Sequence, residues 1–262
     1  MRLWFKVNYF GKRRMKIGSV LVTGANRGLG LEFVRQFLAL PTPPEHVISA
    51  CRNPDGAKDL HDLKNKHKNL SIVKVDLNDT EHLEEAVKEV EATLGNSGLN
   101  LLINNAGIAS RDNLDTITAE EMMRHFRVNT VGPLMVTKVF LPLLRKAAGS
   151  GGEGASINQA TVCSISSGVG SIGENDSGGA YAYRTSKAGL NMITKNMSID
   201  LKKDGIIVVS IHPGWLKTDM GGPNATMEAD VMAKKIIDLM GTFTSDEFTG
   251  KLYHFSGRVM QF

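Results

Sequence analysis

A tyrosine and a lysine four residues apart form the most reactive pair that the sequence offers. Tyr183 and Lys187 open a segment with helical periodicity, and the apolar run before them ends in Ser166 and Ser167. On a helix, residues i and i+4 lie about 5–6 Å apart, so the ammonium group can reach the phenol. A cation within ~4–6 Å favours the phenolate and lowers the tyrosine pKa from about 10. We therefore predict an acid/base pair, the alternative being two residues that share a helix face by chance.

A glycine-rich turn near the N-terminus is the second segment suited to chemistry. The apolar run 20–22 leads into TGANRGLG at residues 23–30, and apolar residues then recur at helical spacing. Glycines let backbone N–H groups approach a ligand, and the N-terminus of the following helix favours a pyrophosphate. The order of strand, turn and helix predicts a dinucleotide-phosphate site, whereas three glycines alone could mark an ordinary turn.

Five motifs, in this order, resemble those of the short-chain dehydrogenase/reductase family. They are T-G-x-x-x-G-x-G at residues 23–30, N-N-A-G at 104–107, Asn129 in V-N-T-V-G, Ser167 with Y-x-x-x-K, and Pro213-Gly214 followed by Thr218. The likeness covers residues 17–253. Within the family, residues 24–28 and 212–222 are similar to the sniffer and C-factor-like carbonyl reductases, although the C-terminal residues 255–262 match only in part.

The resemblance implies a role for each matching residue. The implied catalytic residues are Asn129, Ser167, Tyr183 and Lys187. Ser166 is the alternative to Ser167, and Asn129 would otherwise be taken for a surface residue. The implied cofactor-binding residues, which include that Tyr/Lys pair, are Gly24, Asn26, Arg27, Gly28, Leu29, Gly30, Arg52, Asp76, Leu77, Asn105, Ala106, Gly107, Tyr183, Lys187, Pro213, Gly214 and Thr218.

Some of these roles are specific. In relatives Asp76 binds the adenine amino group, although by sequence it could equally be a turn residue. Asn129 would form a kink that holds a water linking Lys187 to solvent. Pro213-Gly214 would contact the nicotinamide carboxamide. Ser167 would donate a hydrogen bond to the carbonyl oxygen of the substrate.

The end of the second predicted strand favours a phosphorylated cofactor. Dinucleotide folds that bind the unphosphorylated ribose carry an acid about 20 residues beyond the glycines. Here the strand ends Ser-Ala-Cys-Arg at residues 49–52, without an acid. Arg27 and Arg52 present planar donors that suit a 2′-phosphate. We predict NADP(H); the alternative is that both arginines are solvated surface charges.

The pattern of apolar runs predicts the fold. Six runs alternate with helical patterns, and a seventh lies near residues 251–255. This alternation indicates an α/β fold, a Rossmann-type doubly wound, mainly parallel seven-stranded sheet with helices on both faces. We predict a single reductase domain over residues 17–262 and a flexible basic tail over residues 1–16, which hold six Lys or Arg and no acid.

Composition narrows the cellular setting. Two cysteines cannot form a disulfide framework, and no stretch approaches the ~18 apolar residues of a membrane span. The net charge is only +4. We expect a cytoplasmic protein with no integral membrane segment and no nucleic-acid partner. The histidines lack metal-ligand spacing, so no metal is predicted.

Two loops and one helix bear on substrate and assembly. Residues 215–227 contain Trp215, Met220 and Met227, which predict an apolar floor for a small hydrophobic carbonyl compound, unless they pack on the core. Glycine-rich residues 168–179 form either a mobile lid or a surface excursion, and residues 149–154 a flexible loop. The resemblance implies a homodimer or homotetramer through helices beginning near residues 129 and 180, the second exposing Met192 and Met197, unless these are plain core.

The resemblance implies NADPH-dependent reduction of a ketone, aldehyde or quinone, with Tyr183 as the general acid. Two alternatives remain. One is a signalling protein that binds the cofactor without using it, although such a protein would be expected to lack the tyrosine or the lysine. The other is an NAD-dependent alcohol or hydroxysteroid dehydrogenase.

Overall fold

A computed structural model describes residues 16–79, 83–149 and 155–262 of the chain. Its central sheet has the strand order β3-β2-β1-β4-β5-β6-β7-β8. The strands are β1 Ser19–Thr23, β2 His46–Cys51, β3 Leu70–Lys74, β4 Leu101–Asn104, β5 Thr161–Ile165, β6 Ile207–His212, β7 Leu252–His254 and β8 Val259–Met260. The first seven are parallel, and β8 pairs antiparallel with β7. The predicted fold class is confirmed.

The predicted number of strands is wrong by one. The chain turns back after β7 through Gly257, whose φ of 86° is a left-handed conformation that suits glycine. The amide of His254 donates to the carbonyl oxygen of Arg258 at 2.8 Å and begins the antiparallel pairing. The resulting strand has two residues. Such a short strand has no periodicity for sequence analysis to detect.

Seven α-helices lie among the described residues, in the order expected for crossovers between parallel strands. They are α1 Gly28–Leu38, α2 Lys58–Lys64, α3 Leu83–Leu94, α4 Ala119–Phe126, α5 Gly132–Gly149, α6 Tyr181–Asp200 and α7 Ala229–Met240. A π-helical turn, Arg127–Val131, joins α4 to α5. The sequence analysis overlooked α7, although its buried residues Met232, Ala233, Ile236, Ile237 and Met240 follow helical spacing.

The core consists of two apolar clusters, one on each face of the sheet. Val20 and Val22 of β1 belong to the first cluster with Phe33 and Phe37 of α1, whereas Leu21 belongs to the second. Successive strand residues point to opposite faces, so a strand buried on both sides reads as a continuous apolar run. Met197 is in the second cluster, which makes the prediction that it is exposed on α6 wrong.

The topology brings the carboxyl ends of the strands to one edge. Strand β1 pairs with β2 on one side and with β4 on the other, so the strand order reverses there. Ligands of open α/β sheets bind in the crevice at such a reversal. The glycine turn follows β1, the N-N-A-G motif spans the end of β4, and the serine pair follows β5. All three motifs therefore lie along the same edge.

Some predicted segments lie outside the described residues. These are residues 1–15 of the basic tail and residues 150–154 of the predicted flexible loop 149–154. The domain boundary and the flexible tail stay predictions. None of the helices within the described ranges is long and apolar enough to span a bilayer.

Candidate active site

Tyr183 and Lys187 face each other in the first turns of α6. Lys187 is 5% exposed, and its Nζ lies 5.9 Å from the centroid of the Tyr183 ring. The same Nζ donates a hydrogen bond to the carbonyl oxygen of Ile165, the last residue of β5, at 2.8 Å. The ammonium group is thus held between α6 and the carboxyl end of the sheet.

The two serines after β5 have different surroundings. Ser166 is buried and its Oγ donates to Asn191 Oδ1 at 2.7 Å. Ser167 shares a hydrogen bond with the Tyr183 side chain, and its Oγ also accepts from the amide of Val169 at 3.4 Å. The geometry therefore favours Ser167 as the serine that works with the phenol.

Burial decides the protonation of this pair. It raises the pKa of the Tyr183 phenol, and the hydrogen bond with Ser167 acts in the opposite direction without overcoming it. Burial also lowers the pKa of Lys187, to about 8. The sequence-based expectation of a phenol pKa below its ordinary value is therefore wrong for this structure, because burial outweighs the effect of the neighbouring cation. Spacing indicated the neighbouring cation but not the loss of solvent, which disfavours both charged forms.

Asn129 lies in the middle of the π-helical turn and is fully buried. Its Oδ1 accepts from the amide of Ile108 at 2.9 Å, and its Nδ2 donates to the carbonyl oxygen of Ile108 and to Ser186 Oγ. Ser186 Oγ in turn donates to the carbonyl oxygen of Tyr183 at 2.8 Å. Asn129 is a buried brace between the β4–α4 loop and α6, not a surface residue, and its water-holding role stays a prediction.

The glycine turn approaches its neighbours too closely for side chains. A Cβ on Gly30 would lie 2.2 Å from the carbonyl oxygen of Gly24, and Gly24 itself has a φ of 64°. Asn105 Nδ2 donates to the carbonyl oxygens of Thr23 and Gly24 at 2.9 and 3.3 Å. The Asn105 side chain therefore ties the turn to the end of β4, a structural role that the sequence analysis did not assign.

The remaining residues of the turn divide by exposure. Leu29 is buried in the first core cluster, while Asn26 and Arg27 are exposed. Gly28 has a φ of 54°, and a Cβ there would contact Thr218 Cγ2 at 3.4 Å. The turn thus lies directly against the segment that follows Pro213-Gly214.

The two predicted phosphate-binding arginines are both on the surface. Arg27 Nη1 lies 2.9 Å from Asp219 Oδ2, and these side chains are 73% and 80% exposed. Arg52 is exposed and makes no ion pair or hydrogen bond through its side chain with the part of the chain that the structure describes. Sequence reasoning missed Asp219, which lies 192 residues from its partner.

The predicted adenine contact follows β3, and the cofactor-binding residues of the N-N-A-G motif follow β4, with β2 and β1 between these strands in the sheet. Asp76 Oδ1 accepts from the amide of Asn78 at 2.9 Å, as in a turn, and Leu77 is buried. The amides of Asn105 and Ala106 donate to Thr23 Oγ1 at 3.0 and 3.1 Å.

Gly107 lies between two catalytic candidates. A Cβ placed on it would be 3.1 Å from Asn129 Oδ1 and 3.6 Å from Lys187 Nζ. The N-N-A-G segment therefore reaches from the glycine turn to Lys187.

The segment after β6 forms a closed loop over the edge of the sheet. Pro213 is buried and Gly214 has a φ of 87°. The amide of Lys217 donates to the carbonyl oxygen of Met227 at 2.8 Å, which closes the base of the loop. Trp215 and Met220 are 47% and 50% exposed. Of the predicted apolar floor, only Met227 packs against the core.

The glycine-rich loop between Ser167 and α6 is held at several points. Arg184 donates to the carbonyl oxygen of Val169 and to Ser177 Oγ, and Asn191 Nδ2 donates to the carbonyl oxygen of Gly170. Glu174 pairs with Arg258 at 3.3 Å, which connects the loop to the C-terminal segment. Residues 168–171 of the loop are buried or half-buried, whereas residues 172–178 are exposed, and the opening of the loop as a lid stays a prediction.

Sequence reasoning missed several of these supporting residues. Ser186 lies inside the Y-x-x-x-K motif and contacts Asn129, which is 57 residues away in sequence. No sequence pattern connects two positions so far apart. Thr23 accepts two amide hydrogen bonds from the end of β4. No group of three His, Cys, Asp or Glu side chains in the described ranges is arranged to hold a metal ion.

The site now has a phenol, an amine and a serine hydroxyl at the end of β5, beside a glycine turn at the strand reversal. A sequence model of the family described as short chain dehydrogenase matches residues 18–229. The chain belongs to the short chain dehydrogenase family. The resemblance predicted from the motifs is therefore confirmed.

Similar proteins include two solved carbonyl reductases. The carbonyl reductase Sniffer of Drosophila melanogaster is 38% identical, with a TM-score of 0.91 over 94% of this chain and 100% of that one. The NADPH-bound carbonyl reductase from chicken fatty liver is 39% identical, with a TM-score of 0.90 over 95% of this chain and 96% of that one. The C-signal protein of Myxococcus xanthus is 38% identical over 160 residues, 61% of this chain and 90% of its own length.

Proposed function

We propose that this short chain dehydrogenase uses NADPH to reduce a small hydrophobic ketone, aldehyde or quinone to an alcohol. The observation that carries the proposal is the placement of Ser167, Tyr183 and Lys187 around one point at the carboxyl end of β5. The similarity to solved carbonyl reductases supports it, because both relatives are matched over more than nine-tenths of this chain.

The residues at the strand reversal fit a phosphorylated dinucleotide. Gly24 and Gly30 pack so closely against Ala106 and against the turn itself that no side chain fits at either position, and this keeps the turn tight, as in dinucleotide-binding folds. Helix α1 begins at Gly28, so its unpaired N–H groups face the same space. Arg52 follows β2 where NAD-binding folds carry an acid, and the relative from chicken liver is described as NADPH bound.

When bound, NADPH supplies the hydride that adds to the carbonyl carbon. The negative charge that develops on the carbonyl oxygen needs a proton, and Tyr183 donates it from its phenol oxygen. Since burial raises the pKa of this phenol, it stays protonated at neutral pH and acts as an acid in the direction of reduction. Ser167 Oγ donates a hydrogen bond to the same oxygen. The Lys187 ammonium stabilises the phenolate that remains.

The test measures turnover and binding separately. NADPH oxidation is followed with quinones, aldehydes and diketones, and the dissociation constants of NADPH and NADH are measured by titration. We expect turnover with several carbonyl compounds and tighter binding of NADPH. Tight NADPH binding without turnover of any compound would favour a cofactor-binding sensor. Tighter binding of NADH would favour the oxidative alcohol or hydroxysteroid dehydrogenase.

We also propose that the chain acts as a homodimer or homotetramer in the cytoplasm. Met192 and Ile199 of α6 are 63% and 62% exposed, and Val131 at the junction with α5 is 44% exposed. Exposed apolar side chains on neighbouring helices are suited to contact with a second copy. Sedimentation at several protein concentrations tests the assembly, and a monomer at all of them would contradict it.

A further inference from the structure

Asp112 lies in the loop between β4 and α4, and it contacts the beginning of the catalytic helix. Its carbonyl oxygen accepts from the amide of Ala180 at 2.7 Å. Its side-chain Oδ1 accepts from the amide of Ala182 at 3.3 Å, while Oδ2 accepts from Ser110 Oγ. The first amides of a helix have no partner within the helix. Asp112 therefore caps α6 from a segment that is distant in sequence.

The chain leading into α6 has no cap of its own. Gly178, Gly179 and Ala180 have φ values of 61°, 66° and 46° in succession. Ala180 is the only non-glycine residue with a positive φ among the described residues, and its side chain cannot cap the helix. A residue with a Cβ holds this conformation only where its surroundings impose it. The hydrogen bond to Asp112 is such a contact.

This junction lies close to the reacting groups. Ala182 immediately precedes Tyr183, so the amide that Asp112 holds is next to the residue carrying the phenol. Burial alone would raise the pKa of Asp112, but the hydrogen bonds from Ser110 and the α6 backbone lower it below its ordinary value. The carboxylate is thus charged at neutral pH, a form favoured at a helix N-terminus.

The residue beside Asp112 reaches the other wall of the cleft. Arg111 Nη2 donates to the carbonyl oxygen of Gly221 at 3.3 Å, in the loop that follows Pro213-Gly214. Trp215 Nε1 donates to the same oxygen at 2.9 Å. Two adjacent residues of the β4–α4 loop thus hold the start of the catalytic helix and the loop after β6.

We propose that Asp112 is a positioning residue for Tyr183: through the amides of Ala180 and Ala182 it sets where the first turn of α6 places the phenol. The proposal rests on the proposed function, because it assigns Tyr183 as the proton donor. Asp112 does not itself contact the reacting atoms. Its loss displaces the phenol relative to Ser167, and small displacements of a reacting group slow catalysis strongly.

The test compares three variants. Asp112→Ala removes the side-chain acceptor, whereas Asp112→Asn keeps an amide oxygen in its place, and Ser110 can then accept instead of donating. Asp115→Ala is the matched control, since Asp115 is an exposed acid of the same loop whose side chain has no hydrogen bond within the described ranges. We measure kcat, the KM for NADPH, the melting temperature, and amide hydrogen exchange along α6.

For Asp112→Ala we expect kcat to fall about tenfold, with an unchanged KM for NADPH and faster exchange at the amide of Ala182. Asp112→Asn should restore most of kcat, and Asp115→Ala should match the parent. Unchanged kcat in Asp112→Ala would overturn the proposal, as would an Asp112→Asn variant as slow as the alanine variant. If no carbonyl compound is turned over, the proposed function fails, and unchanged exchange at Ala182 would separately overturn the positioning role.

Discussion

The proposed catalytic end and the proposed phosphate-binding end of the cleft are built differently. Asn129, Lys187 and Ser167 are 0%, 5% and 8% exposed, and each makes hydrogen bonds to neighbouring groups. At the other end, the Arg27 and Asp219 side chains are 73% and 80% exposed. Buried hydrogen-bonded groups hold one geometry, whereas exposed charges change partners at little cost. The fold therefore holds the proposed reacting groups in one arrangement and leaves the proposed phosphate contacts adjustable.

The largest expected effect on kcat comes from removing the phenol of Tyr183. Tyr183→Phe removes the proton donor and keeps the ring, so kcat for carbonyl reduction should fall by about 10²–10⁴-fold, the usual contribution of general acid catalysis. The melting temperature should change little. Steady-state kinetics with a saturating carbonyl compound measure the loss.

Tyr181→Phe is the matched control for that change. Tyr181 lies two residues away and is 37% exposed, on the same helix. Its variant should retain the kcat of the parent. Full turnover in Tyr183→Phe would show that the buried phenol is not the acid.

Substitutions at the two serines after β5 are expected to affect different quantities, kcat at Ser167 and the free energy of unfolding at Ser166. Ser167→Ala removes the hydrogen-bond donor to the carbonyl oxygen and should lower kcat by about 10²–10³-fold, as at other oxyanion sites. Ser166→Ala instead leaves Asn191 Oδ1 without its buried donor, which should lower the free energy of unfolding by about 1–3 kcal/mol. Kinetics and denaturant unfolding on both variants measure the two effects. Exchanged outcomes would assign catalysis to Ser166.

The pH dependence of the reaction tests the burial of Lys187. A lysine is charged below its pKa, and burial lowers that of Lys187 to about 8. The ammonium group that stabilises the phenolate is therefore present at neutral pH and is lost as the pH rises above that value. The kcat/KM for reduction should be constant near neutrality and decrease by about tenfold per pH unit on the alkaline side, since this ratio reports groups of the free enzyme. A profile flat to pH ~10 would contradict the shift, because an unperturbed lysine titrates there.

The sequence analysis succeeded where a feature depends on neighbouring residues and failed where it depends on distant ones. Segments that are continuous in sequence, such as residues 23–30 and Tyr183 with Lys187, were predictable because strand, turn and helix patterns are local. Contacts between distant residues were not: Asp112 caps α6 from 70 residues away, and Asp219 pairs with Arg27 from 192 residues away. No spacing rule connects such positions.

Burial was the other quantity that the sequence did not reveal. The neighbouring cation suggested a lowered phenol pKa, but the pKa of Tyr183 is raised because solvent is excluded from both side chains. Without the family resemblance, Asn129 would be taken for a surface residue, whereas it is fully buried. Both corrections depend on how three separate segments pack together, which is a property of the tertiary structure.

The smallest expected effect is on cofactor affinity, and it comes from changing Asp219, the ion-pair partner of Arg27. If Arg27 binds the 2′-phosphate as proposed, Asp219 competes with it for the guanidinium, and Asp219→Asn should free Arg27 and tighten NADPH binding. Exposed ion pairs contribute about 0–1 kcal/mol, so the dissociation constant should decrease at most about fivefold. NADH, which lacks the phosphate, should bind unchanged. The same substitution made together with Arg27→Ala should have no further effect on NADPH binding beyond that of Arg27→Ala alone. Fluorescence titrations of both cofactors at low and high salt measure these differences, and an equal gain for NADH would show that Asp219 acts on the loop itself and not on the phosphate.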